Sequence, residues 1–473
     1  MAVESFEKSV DRALADAQLR KNFAFAMGNF ILKRRAVFSD AEETERLRAL
    51  GNAIKQRALS RLPDLLEQLE AACTRNGIRV HWAETTAVAN RIVLEVIESH
   101  AAGRVVKGKS MVSEEMHLNA FLGAHGIEAI ETDLGEFIIQ LAGETPSHII
   151  VPAIHKNKAQ IAKIFHDKVP GAPYTEEVAE LNAIARRTLR RKFYEAGIGL
   201  SGVNFAVAET GTLCLVENEG NGRMCTTVPP VHIAVMGLEK VVEKLDDLPP
   251  LLRLLTGSAT GQLVTTYVNL ITSPRRAGEK DGPTEVHLVI LDNGRSRIYQ
   301  DPELRQTLQC VRCGTCLNHC PVYTRIGGHA YGFVYPGPIG KILTPQVEGL
   351  EKAGGLAFAS SLCGACEEVC PVKIPITSLL RRLRDESYSR EPQGTVPGRG
   401  CRQNLTERLA WGGWAFLNTH PRLNRMVTAL LGMAGDYLPP AGPLERWMRY
   451  RTEPQFAGKG LHRRAKEEGI ADE

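Results

Sequence analysis

The sequence predicts an α/β domain on a largely parallel sheet. A helical arm precedes it, and a helical, cysteine-rich domain and a helical tail follow. Three observations carry this expectation. Leucines recur near helical spacing through residues 43–73. Short apolar runs alternate with amphipathic stretches from about 76 to 300. Seven of the eleven cysteines fall between Cys310 and Cys370. At 473 residues the chain is too long for one average domain. The expected segments are an arm over 1–75, the α/β domain over 76–300, the cysteine-rich domain over 301–390, and a linker with a helical tail over 391–473.

Hydrophobic residues make up 43% of the chain and charged residues 24%, an ordinary balance for a soluble globular protein. The net charge of +4 is too small to argue for nucleic acid or a membrane surface. Mean hydropathy is −0.16, and no apolar run reaches the roughly 18 residues of a transmembrane helix. The opening MAVESFEKSV carries two acids and no apolar stretch, unlike a signal peptide. Collagenous, disordered, integral membrane and secreted disulfide-scaffold classes are thereby excluded, and a cytoplasmic protein is expected.

In the arm, Leu47, Leu50, Ile54, Leu59, Leu62, Leu65, Leu66 and Leu69 mark helices, with Pro63 a kink or break. Its expected role is packing, with no chemistry. In the α/β domain the expected strands are 78–82, 104–107, 148–152, 205–216, 232–236 and 286–292. The expected helices are 87–100, 113–125, 156–166 and 175–196. Such alternation is the mark of a parallel sheet with crossover helices.

Two polar loops stand out. KGKSMVSEE, residues 107–115, lies at a strand-to-helix junction, where α/β proteins bind ligands. It lacks the frame of a phosphate-binding Walker loop. The favoured reading is a helix starting at Ser113 beside solvated lysines. The second is ENEGNGR, residues 217–223, which reads as a hairpin turn. That turn would make Cys214 and Cys225 cross-strand neighbours, both free thiols. Glu209 reads as a surface glutamate rather than a catalytic carboxylate.

The cysteines carry the chemistry. Cys310, Cys313, Cys316 and Cys320, closed by Pro321, follow C-x2-C-x2-C-x3-C-P without a gap. An odd cysteine total without a signal peptide argues against a disulfide framework. A zinc site does not explain four cysteines closed by proline. Three thiolates at x2 spacing wrap one iron–sulfur cubane, and the fourth reaches across to a second. Cys313, Gly314, Cys316, Cys320, Pro321 and Val322 recur 50 residues later as Cys363, Gly364, Cys366, Cys370, Pro371 and Val372. Crossed ligation gives Cys310, Cys313, Cys316 and Cys370 to one cluster, and Cys320, Cys363 and Cys366 to the other.

The repeat has one gap, because Ser360 stands where a partner of Cys310 is due. Four outcomes are open. Ser360 or Ser361 ligates through oxygen, Cys401 folds back, the site holds a [3Fe–4S] cluster, or one iron keeps an external ligand. A four-iron cluster with a non-cysteine or external fourth ligand is favoured. His319 lies outside the ligand spacing and reads as a neighbour, not a ligand. The 42 residues between Cys320 and Cys363 imply intervening helices. Within them, 327–341 reads as a Gly/Pro loop over the clusters, and 374–388 as a helix beyond them. In the tail, 391–401 reads as a linker, 405–417 and 423–433 as apolar helices, and 458–473 as a mobile charged end.

One series of motifs runs through the chain: KGKSMVSEEMHLN, ETDLGEFIIQL, PSHIIVPAIHKNK, GVNFAVAETGTLCLVENEGNGR, CVRCGTCLNHCPVY and SSLCGACEEVCPVKIP. In this series the chain resembles the iron–sulfur subunits of the bacterial L-lactate utilization system, the lactate utilization protein B family, over nearly its whole length. The resemblance implies a LUD domain, of the NagB/RpiA/CoA-transferase-like α/β type, followed by a helical ferredoxin domain. It implies two [4Fe–4S] clusters on the seven cysteines above. It also implies action with a cysteine-rich protein and a second LUD protein in oxidising L-lactate to pyruvate. It assigns no substrate-binding or catalytic residue. From the residues alone, no flavin or nicotinamide fingerprint is found, so a relay of electrons within a complex is favoured. The alternatives are a self-contained hydroxy-acid dehydrogenase using its own clusters and a non-catalytic assembly scaffold.

Overall fold

The computed structural model of the chain describes residues 6–388, 396–398, 405–434 and 461–469. Residues 1–401 form one compact unit and residues 402–473 another. Among the described residues, no helix is long and apolar enough to cross a membrane.

The arm is four helices, Phe6–Ala15, Ala17–Val37, Ala41–Ser60 and Leu62–Arg75. Asp16 and Asp40 cap the second and third by accepting from the amides of Leu19 and Glu43. The break expected at Pro63 falls at Arg61. Pro63 sits in the first turn of the next helix, where a missing N–H costs nothing. Ile54, Leu59, Leu62, Leu65 and Leu69 are buried, whereas Leu50 stays exposed.

The main sheet contains β1 (Arg79–Ala83), β2 (Arg104–Lys107), β3 (Glu128–Glu131) and β4 (Ile198–Gly202). A smaller sheet adds β5 (Phe205–Val207) and β6 (Thr212–Glu217). Further strands are β7 (Val231–Gly237), β8 (Val241–Val242), β9 (Tyr267–Ile271) and β10 (Glu285–Leu291). The main sheet runs β1-β10-β7-β4-β2-β3 with every pair parallel. The smaller runs β8-β5-β6-β9. Every residue of β7 is buried, as expected of a central parallel strand covered on both faces.

Several sequence expectations are corrected. The run 148–152 is not a strand. Its neighbours bind the cysteine-rich segment instead: Tyr323 donates to the Ser147 carbonyl at 2.6 Å. The run 205–216 is two strands joined by a tight turn, not one. The hairpin expected at 217–223 is absent, because helix Asn221–Thr227 starts there. Cys214 therefore lies opposite Phe205 and Leu270, while Cys225 sits on that helix. Strands β3, β4, β8 and β9 escaped the reading. In β4, IGLSG, the first glycine is dictated by packing: a Cβ on Gly199 would lie 1.8 Å from the Cys225 carbonyl oxygen.

The helix expected over 113–125 is two helices, Met111–Glu115 and Leu118–Ala124, parted by His117 in the left-handed region. Its cap is Ser110, not Ser113. The loop expected over 327–341 ends early, since helix Gly337–Glu348 begins within it. Helices Ile376–Tyr388, Leu405–Thr419 and Pro421–Ala434 fall where the spacing placed them. Leu461–Glu467, within the charged end expected over 458–473, is helical. Most of the linker 391–401, with Cys401, lies outside the described residues.

The buried sheet makes stability depend on pH. His232 is fully buried, with Nε2 2.8 Å from the Ser201 hydroxyl. Burial and nearby His287 push it down to about 3. Burial and then His81 push His287 down to about 4. Both rings ionise near 6.5 when unfolded, so the unfolded state takes up protons first as pH falls. Their contribution is complete above pH 6.5 and is lost towards 4. The unfolding free energy is expected to fall by about 1.4 kcal/mol per pH unit for each ring in that window. Urea unfolding at pH 7 and pH 5 measures this, and His232→Gln is expected to flatten the slope.

Candidate iron–sulfur centre

The two cysteine motifs adopt one backbone shape twice. After Cys310 the chain passes through Arg312 at φ 61° and Gly314 at φ 74°, then enters the short helix Thr315–Asn318. After Ser360 it passes through Leu362 at φ 56° and Gly364 at φ 80°, then enters Ala365–Glu368. Left-handed backbone at Arg312 and Leu362 is uncommon for such side chains and persists only where the surroundings demand it.

This folding sorts the side chains. Cys310, Cys313, Cys316 and Cys370 line one cavity, walled by Ile149, Ile339, Ile374 and Ile376. Cys320, Cys363 and Cys366 line another, together with Ser360 and Ser361. Backbone amides point at the sulfurs: Arg312 to Cys310 at 3.4 Å, Tyr323 to Cys320 at 3.5 Å, and Ile374 to Cys370 at 3.4 Å. His319 is turned away, with Nδ1 2.9 Å from the Thr315 carbonyl.

The donor set fits iron–sulfur clusters. Burial pushes Cys370 up to about 11 and Cys366 up to about 12. Burial and then the other thiols of its own cavity raise Cys313 further. The buried thiols of Cys313, Cys316 and Cys370, each raised by burial, need a shared cationic centre to become thiolates. Cys363 differs: it is exposed and lowered by the Ala365 amide and the Ser361 hydroxyl. Lys341 is fully buried, and its ammonium lies 3.5 Å from Cys320 Sγ. Amide and cationic donors to cluster sulfurs are the levers that set reduction potential.

The arm packs on the cysteine-rich segment through polar side chains. Arg48 Nε donates to the Cys370 carbonyl at 3.0 Å, and Arg34 to the Val369 carbonyl at 3.2 Å. Asn52 donates to the Val372 carbonyl at 2.7 Å and to Gln309 at 2.9 Å. Gly51 of the same helix makes room for a different neighbour, since a Cβ there would lie 2.3 Å from the Leu254 side chain. A helical periodicity does not disclose which polar side chains meet a loop 320 residues away in sequence.

The α/β domain contributes buried charge. Lys107, expected in solvent, is fully buried. Its ammonium lies 2.7 Å from Glu131, 3.0 Å from Glu114 and 2.8 Å from the Ser113 hydroxyl. Burial opposes its charge, but Glu131 and Glu114 outweigh that and raise it. Burial, then Glu131, pushes neighbouring Glu136 well above the usual carboxylate range. Glu209 is exposed, as read. A cleft of about 960 Å³ runs beside segment 326–335, bordered by Arg12, Glu144, His155, Lys156 and His329. His155 Nε2 meets Glu144 at 2.7 Å, and its ring stacks edge-on to His329 at 4.6 Å.

Similarity to known proteins follows the same order along the chain. The LUD domain family matches residues 66–291, and the 4Fe-4S dicluster domain family residues 306–374. The family "Lactate utilisation protein B, C-terminal" matches residues 382–470. A Lactate utilization protein B of Bacillus licheniformis is 40% identical over 462 residues, covering 96% of this chain and 94% of that protein. Another, of Geobacillus sp. (strain WCH70), is 44% identical over 458 residues, covering 95% and 94%. An Escherichia coli K12 protein named "Uncharacterized electron transport protein YkgF" is 40% identical over 463 residues, covering 96% and 95%. With two cysteine cavities beside a LUD domain, and such identity along almost the full length of its relatives, this chain belongs to the lactate utilization protein B family.

Proposed function

We propose that this chain is the iron–sulfur electron-transfer subunit of an L-lactate-oxidising complex, and that it relays electrons through two [4Fe–4S] clusters. The observation that carries the reading is the sorting of seven cysteines into two cavities within one compact unit. Cys310, Cys313, Cys316 and Cys370 would hold one cluster, and Cys320, Cys363 and Cys366 the other. Bound clusters supply one-electron transfer and no hydride chemistry. The chain's residues hold and tune them: amides at Arg312, Tyr323 and Ile374 and the ammonium of Lys341 offset thiolate charge. The isoleucine walls of the first cavity keep water out. Family membership supports an iron–sulfur role in lactate utilization. The proposed partners are a cysteine-rich protein and a second LUD protein, in the cytoplasm.

One observation favours a second reading, a self-contained hydroxy-acid dehydrogenase. The cleft bordered by Arg12, Lys156, His155 and His329 brings cationic and imidazole groups together, two of which already meet the carboxylate of Glu144. A single experiment separates the readings. The chain is purified anaerobically, its visible absorbance is shown to bleach with dithionite, and L-lactate is added. The expected result is no bleaching by lactate alone and bleaching once both partners are present. Bleaching by lactate alone establishes the second reading. No bleaching under either condition leaves the clusters as structural elements of a scaffold and refutes the relay.

A further inference from the structure

We infer that Ser360 is the fourth protein ligand of the second cysteine cavity, binding iron through its hydroxyl oxygen. This rests on the reading that Cys320, Cys363 and Cys366 hold a cluster. Four observations converge on it. In the 50-residue repeat Ser360 stands at the place of Cys310. The backbone that presents it is the one that presents Cys310, with Leu362 at φ 56° matching Arg312 at 61° and Gly364 at 80° matching Gly314 at 74°. The same hydrogen bond is kept: the Leu362 amide donates to Ser360 Oγ at 3.2 Å, as the Arg312 amide donates to Cys310 Sγ at 3.4 Å. Ser360 also lines one cavity with Cys320, Cys363 and Cys366, as Cys310 lines the other with its three cysteines.

The position is held firmly. Arg384 donates to the Ser360 carbonyl at 2.7 Å and to the Ala357 carbonyl at 2.9 Å. Ser361, its neighbour, is exposed and its hydroxyl serves Cys363. An amide aimed at Ser360 Oγ stabilises a negative oxygen there, as amides do for thiolates in the other motif. On ligation iron replaces the hydroxyl proton, which passes to water, and one Fe–O bond forms. Oxygen is a harder donor than sulfur and favours the ferric state. Ligation by oxygen is therefore expected to make the second cluster harder to reduce than the same cluster would be with a fourth cysteine.

The test uses the full chain, purified anaerobically, with iron and sulfide analysis, electron paramagnetic resonance and Mössbauer spectroscopy. A wild-type chain carrying one cluster instead of two refutes the underlying reading of the cysteines, whatever Ser360 does. With two clusters present, Ser360→Ala is expected to lose one iron of the second cluster and show the oxidised signal of a three-iron centre. Ser360→Cys is expected to keep four irons and raise that cluster's potential, leaving the first unmoved. Ser361→Ala is expected to keep the iron content. A Ser360→Ala protein with an unchanged four-iron spectrum overturns the inference, as does loss of the same iron in Cys401→Ala. Should Ser360→Ala not accumulate, Ser360→Cys decides: an unshifted potential of the second cluster refutes ligation by oxygen.

Discussion

Cys316→Ala is expected to abolish the cluster of the first cavity and cut iron and acid-labile sulfide by about half, as removal of one of two clusters requires. Cys316 is buried and lies among Cys310, Cys313 and Cys370, so no other thiol can take its place. The loss reaches beyond iron. Metal binding at such a site is part of the folding free energy, and the bare cavity keeps three thiols in an apolar wall. Resistance to urea is expected to fall along with absorbance. Cys370→Ala is expected to remove the same cluster although it lies 54 residues further on, whereas Cys320→Ala is expected to remove the other. Cys214→Ala, in the buried β-sheet core, is expected to leave the iron content unchanged. Full iron content in Cys316→Ala, or loss of different clusters in Cys316→Ala and Cys370→Ala, rejects the crossed assignment.

Arg295→Met is expected to destabilise the protein by about 3–5 kcal/mol, the range for breaking a buried ion pair from one side. The Arg295 side chain has no solvent exposure. Its guanidinium meets Glu239 at 2.7 Å and Glu115 at 2.8 Å through two nitrogens. Tyr335 adds a hydrogen bond to Glu115 at 2.7 Å, and Arg312 reaches Glu239 at 3.3 Å. Burial alone would raise Glu239, but Arg295 and Arg312 hold it down to about 2. Without Arg295 both carboxylates stay buried, and Glu115 loses its cation. The network also spans the join between α/β domain and cysteine loop, since Arg312 lies between Cys310 and Cys313. Urea unfolding of the cluster-loaded chain gives the magnitude. Glu115→Gln in the Arg295→Met background should recover part of the loss. A change below about 1 kcal/mol would show that water or relaxation compensates the pair.

The two cysteine motifs are legible in the sequence for a physical reason. Ligand spacing in a cubane motif is local: three thiols and a turn share one stretch of backbone, so their order in sequence is their order in space. The repeat that aligned Cys310 with Ser360 was legible in the same way. Helices with long apolar periodicity, such as Ile376–Tyr388, were legible too, because one face of each meets the core. Short elements were not. Strand β4 has no alternating pattern to mark it, and its Gly199 is there for the helix Asn221–Thr227 laid across it. The segment 148–152 has the composition of a strand, yet its own His148 meets Asn318 and the preceding Ser147 accepts from Tyr323.

The sequence by itself determined the two motifs, their 50-residue repeat, the gap at Ser360 and the alternation of a parallel α/β domain. Only the tertiary structure decided that Ser360 Oγ occupies the place of a cysteine sulfur. It alone disclosed that Arg34, Arg48 and Asn52 of the arm grip the chain around Cys370, and that Lys107 is buried in a carboxylate cluster. Local patterns record what a residue does for its own helix, strand or turn. The charge a buried group meets, and the loop a distant arginine reaches, depend on which elements pack together, and no spacing along one chain encodes that directly.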